Sequence, residues 1–122
     1  MTLEECYAKL NEDYQDVLTR LVKTDRIARY LCKLVDDTVF EELFSAVSVG
    51  DCDTAFRAAH TIKGEAGTLG LKALASAAST LTEALRGKEE IASATVQMTE
   101  DVKAQYTLVA AAIREYCAAQ QS

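Results

Sequence analysis

Apolar residues recur along this chain at separations of three and four, the period of an amphipathic helix. The pattern predicts a short helix over about Leu3–Leu10 and another over about Glu12–Leu21. In the second, Tyr14, Val17, Leu18 and Leu21 share one face, as in a helix laid against a larger body. A longer periodic segment runs from about Asp25 to Val49, with Thr24 as its expected N-cap. Its apolar phase slips between Leu34/Val35 and Phe40/Leu43, which predicts a kink or restart at Asp36-Asp37-Thr38. Gly50 ends this segment and Asp51 caps the next helix.

That next helix spans about Cys52–Leu69, with Gly70 as its stop. Ala55, Ala59, Ile62, Ala66 and Leu69 form its core-facing stripe. A further helix covers about Leu71–Arg86 on a stripe of Leu71, Leu74, Ala78, Leu81 and Leu85, and Gly87 stops it. After a loop over Lys88–Ser93, the last helix runs over about Ala94–Ala118 on Met98, Val102, Val109, Ile113 and Tyr116. Short connections between long helices favour antiparallel neighbours. The expected fold is all-α, an up-down-up-down four-helix bundle with additional short N-terminal helices. Residues 1–22 form the N-terminal segment, packed on a bundle formed by 23–118, in one domain overall.

Composition agrees. The chain has 122 residues, is 49% hydrophobic and contains no proline or tryptophan, which suits a helical core. Its net charge of −6 argues against nucleic acid as a partner. No leader and no long apolar run follow Met1, so the expectation is a cytoplasmic protein without a membrane partner. Cys6, Cys32, Cys52 and Cys117 form no CxxC pair and have one histidine to join them. They are expected to be small, partly buried and reduced, with no metal site. A Cys52–His60 arrangement is set aside because Cys52 falls towards the core stripe and His60 away from it.

One segment does not follow from packing alone. His60 is the only histidine, and Lys63, Gly64 and Gly67 follow it inside a helical pattern. A glycine in a helix interior costs roughly 1 kcal/mol relative to alanine. On the helical wheel His60 lies roughly 130° from the core stripe, on the solvent side. Lys63 lies on the flank between His60 and the core, and the two glycines lie on the exposed side. The imidazole therefore stands on a surface cleared of side chains, with an ammonium close by. That suits a nucleophile meeting an anionic group carried on another macromolecule. A neutral imidazole attacks an acyl phosphate without a separate base, and phosphoryl transfer depends mainly on positioning and charge.

At these residues the sequence resembles the histidine phosphotransfer (HPt) domain family, in its free-standing bacterial type. The match is Ala59-His60-Thr61-Ile62-Lys63-Gly64, then Ala66-Gly67 and Leu69-Gly70, in a helical context from about Asp25 to Cys117. The resemblance implies that His60 is the phosphoacceptor, usually on Nε2. Lys63 supports the phosphoryl group, and Gly64 and Gly67 give the partner access. It implies receiver domains or a hybrid sensor histidine kinase as partners. No cofactor is expected here, because the magnesium ion belongs to the receiver. No Gly-rich phosphate loop or kinase signature is present, so the chain is expected to be a carrier and not an enzyme. Family members often have serine or alanine in place of Glu65 and asparagine in place of Thr68. Glu65 is expected to point away from His60, and Thr68 to affect capping only.

Two other readings compete. The same face could dock receiver or kinase domains without phosphorylation, with Phe56, one turn before His60, in an apolar docking patch. Alternatively, Gly64 and Gly67 could serve close helix packing in a structural adaptor. No dimerisation stripe is evident, so a monomer is expected.

Overall fold

The computed structural model describes residues 1–120, which form seven helices. They are α1 (Leu3–Lys9), α2 (Tyr14–Leu21), α3 (Thr24–Val35), α4 (Val39–Val49), α5 (Cys52–Thr68), α6 (Lys72–Leu85) and α7 (Ser93–Gln120). No strand occurs among the described residues. The segment expected to run from Asp25 to Val49 is two helices, broken where the apolar phase slips. Asp36 closes α3, and the Asp37 carboxylate accepts the Val39 N–H at 2.9 Å, which starts α4. Thr24 is not the cap of α3. Lys23 holds that position without a side-chain hydrogen bond, and Thr24 begins the helix proper.

Helices α4 to α7 follow one another as packed neighbours, and α3 lies against α7. Gly50, at φ +78°, reverses the chain between α4 and α5, and Asp51 then caps α5 by accepting the Thr54 N–H at 3.1 Å. The core is built from the expected stripes. Ala55, Ala59, Ile62, Ala66 and Leu69 of α5 and its end are buried, as are Leu71, Leu74, Ala78, Leu81 and Leu85 along α6. Tyr106 of α7 stacks on Phe40 with ring centroids 4.0 Å apart and donates its hydroxyl to the Val35 carbonyl at 3.0 Å. One aromatic residue thus holds the α3–α4 break against the bundle.

The N-terminal helices pin one end of α5. The buried Tyr7 hydroxyl donates to the Leu69 carbonyl at 2.6 Å, and burial pushes this phenol far above its ordinary pKa, so it stays protonated. Arg20 donates to the carbonyls of Gly67 and Thr68 at 3.3 and 3.1 Å. Glu12 accepts the Ala73 N–H near the start of α6 at 3.0 Å. These groups take up backbone atoms that a helix end leaves without intrahelical partners. Gly70 sits beneath α2 at φ +70°, and a Cβ there would lie 3.3 Å from that of Val17. Both the left-handed backbone and the close approach require glycine.

The cysteines correct an expectation. Cys6 and Cys52 are free and buried, but Cys32 and Cys117 form a disulfide between α3 and α7. They are 85 residues apart in sequence, and only the packing of those two helices brings them together.

Two outcomes follow for stability. Tyr7→Phe leaves the buried Leu69 carbonyl without its partner and is expected to cost about 1–3 kcal/mol. That lowers the melting temperature by several degrees, and an unchanged melt contradicts it. The second concerns Glu65, whose carboxyl is raised by burial first and then by the facing Asp37 carboxylate. A carboxyl raised in the folded state weakens the fold once it ionises, so the penalty is present at neutral pH. Glu65→Gln is expected to raise the melting temperature at pH 7. The gain should vanish well below pH 4.5, the carboxyl's ordinary value, where both states are protonated. A pH-independent gain contradicts this account.

Candidate functional site

Helix α5 has one fully buried stripe and one open face. Its alanines let neighbouring helices close in on the buried side, and His60 is exposed on the other. Gly64 and Gly67 follow it on that exposed face. A Cβ added to either would meet nothing within 4 Å. Helix packing therefore does not require these glycines, which removes the structural argument for the adaptor reading. The Thr68 hydroxyl donates to the Gly64 carbonyl at 3.0 Å, a local back-bond at the end of the helix.

On one side of His60 a groove of about 490 Å³ separates α5 from α3. Tyr30, Lys33 and Leu34 form the α3 wall, Asp37 closes it at the helix break, and Thr61, Gly64 and Glu65 form the α5 wall. Glu65 was expected to face away from His60. It lines this same groove, because α3 crosses near enough to α5 for residues on the flank of α5 to share a wall with the exposed face. Thr68 lines it too, so its place is wider than capping.

On the other side lies α6. Phe56 is half-buried, and its ring is nearly parallel to the imidazole, at 3° with centroids 6.1 Å apart. The Arg86 guanidinium stands over the Phe56 ring, 5.0 Å from its centroid. Arg86 is paired with Glu83, with Nη2 to Oε1 at 3.0 Å and Nε to Oε2 at 3.2 Å. Hydrogen bonding and charge from Arg86 hold the Glu83 carboxyl below its ordinary range, with smaller contributions from Lys63 and His60. Lys63 is half-buried on its flank of α5. Phe56, His60, Lys63, Glu83 and Arg86 thus form one surface.

The structure brings together His60, Lys63, Gly64 and Phe56 as the spacing required, with Gly67 further along the same exposed face. Cys52 is buried two turns before His60, so no thiol joins the site. Sequence reasoning missed Glu83 and Arg86. Their i, i+3 spacing at the end of α6 marks an ion pair, but nothing in the sequence places that pair beside α5. Among the described residues no group of three or more histidine, cysteine or acidic side chains is arranged to hold a metal ion. No described helix is long and apolar enough to cross a membrane.

The site therefore offers an open imidazole, a lysine on its flank, a held arginine and room for a large partner. A family model described as the Hpt domain matches residues 2–119, while no curated protein and no solved structure matches the chain. The matched span takes in α1 and α2 as well as the bundle. With an all-helical fold and the histidine motif on α5, the chain belongs to the Hpt domain family.

Proposed function

We propose that this protein carries a phosphoryl group on His60 between receiver-domain aspartates in a two-component phosphorelay. Hpt domains are phosphocarrier modules of phosphorelays and not kinases. The observation that carries the reading to this residue is the exposed imidazole followed by two glycines whose side-chain space is open.

In the transfer, the Nε2 lone pair of neutral His60 attacks the phosphorus of an aspartyl phosphate. The N–P bond forms as the P–O bond breaks, and the electron pair leaves with the receiver's carboxylate. The Nδ1 proton stays on the ring. Lys63 offsets charge on the transferred group. The receiver supplies its magnesium ion and acidic pocket, so this chain needs no cofactor of its own. The reverse sequence delivers the group to a second receiver or returns it to a hybrid sensor histidine kinase. The protein acts as a monomer in the cytoplasm, in two parts: residues 1–22 brace the carrier bundle of 23–118. The Cys32–Cys117 disulfide is the one feature that stands against a reducing compartment.

A second reading draws on the exposed face around His60, from the groove on one side to Phe56 on the other. There the same face docks a receiver or kinase domain without phosphorylation, and Phe56 belongs to the docking patch.

Incubation with a panel of receivers charged by a small phosphodonor separates the two. The carrier reading predicts acid-labile, base-stable label on wild type and none on His60→Gln. Receivers that bind without labelling the chain contradict it and support docking. The glycines give an independent outcome. Gly64→Ala is expected to stabilise the fold by roughly 0.5–1 kcal/mol. Gly64→Gln should melt no lower than wild type but slow transfer by the order of a hundredfold, through displacement of the partner. Loss of folding in either variant contradicts the role of these positions as cleared surface.

A further inference from the structure

We propose that Arg86 is a second cation for the phosphoryl group on His60, and that Glu83 is the internal anion from which that group draws it. This rests on the phosphocarrier reading above. The geometry is a relay of three contacts: Glu83 holds Arg86, Arg86 lies over Phe56, and Phe56 lies parallel to His60. Phe56 thus links the two groups on one surface: the Arg86 guanidinium stands 5.0 Å from its ring centroid, and the open imidazole lies 6.1 Å from it, centroid to centroid. Cation–π contact positions a guanidinium without consuming its hydrogen-bond donors.

The pair is suited to exchange. Its side chains are 55% and 59% exposed, and an ion pair so placed is held weakly. A phosphoryl group brings a charge of about −1.5 to −2 and three acceptor oxygens, against one charge on a carboxylate. Guanidinium binds such a group with two parallel hydrogen bonds. Glu83 lies near His60 and near Lys63, whose charge helps to keep it ionised. When His60 becomes anionic, that same proximity turns into repulsion. One event therefore pulls on Arg86 and pushes on Glu83. Lys63 alone, fixed on its flank of α5, has no such internal competitor among the described ion pairs.

The two ends of this pair make the proposal testable. Arg86→Gln and Glu83→Gln break the same ion pair, so a merely structural role predicts the same effect from both. An exchange mechanism predicts opposite effects. The measurement is the fraction of label on this protein at equilibrium with a phosphorylated receiver, using folded variants checked by thermal melt. Arg86→Gln is expected to shift that equilibrium away from phospho-His60 by roughly tenfold, the worth of one charge-assisted hydrogen bond. Glu83→Gln is expected to shift it several-fold the other way, and Arg86→Lys to fall between wild type and Arg86→Gln. If Arg86→Gln melts early, Arg86→Lys and Glu83→Gln carry the same test. Shifts of the same sign, or no shift while wild type still labels, overturn the proposal and leave the carrier reading intact. Wild type that takes no label at His60 overturns both.

Discussion

Helix α5 must bury one side completely while keeping the other side empty, and the rest of the structure follows from that division. Ala55, Ala59 and Ala66 are small side chains on the buried stripe that Ile62 completes, so α4 and α6 can approach the α5 backbone closely. Such packing fixes the rotation of the helix about its own axis. A bulky residue in place of one of the alanines would overpack the core or turn the helix, and His60 would move with it. The position of the imidazole is thus set by residues that never touch it.

The ends of α5 are fixed just as firmly. Asp51 caps its start, and Tyr7, Arg20 and Gly70 secure its finish through contacts from α1 and α2. A helix that contains Gly64 and Gly67 has weakened local propensity at the place where a partner must approach. The N-terminal helices supply hold at the turn immediately after those glycines. Their role is therefore linked to the site and is more than added bulk on the bundle.

Much of this was legible in the sequence because helical period and punctuation are local signals. The stripes of α5 and α6, the stops at Gly50, Gly70 and Gly87, and the break at Asp36–Thr38 all lie within a few residues of their causes. So do Lys63 and Gly64, which share a helix with His60. What the sequence did not reveal depends on contacts between helices. The Cys32–Cys117 disulfide needs α3 on α7, the Glu65–Asp37 apposition needs α3 beside α5, and Arg86 reaches the His60 surface only because α6 packs there. Thr24 failed as a cap for a subtler reason. The chain enters α3 one residue earlier, and Lys23 takes the extended backbone that an N-cap adopts.

The central claim is that His60 accepts a phosphoryl group through a ring nitrogen. Phosphorus NMR of this protein after charging by a phosphorylated receiver tests it most directly. The account predicts one protein-bound resonance in the phosphoramidate region, absent from His60→Gln. A resonance of an acyl phosphate or a phosphate ester, or a phosphoramidate signal that survives the substitution, would contradict it.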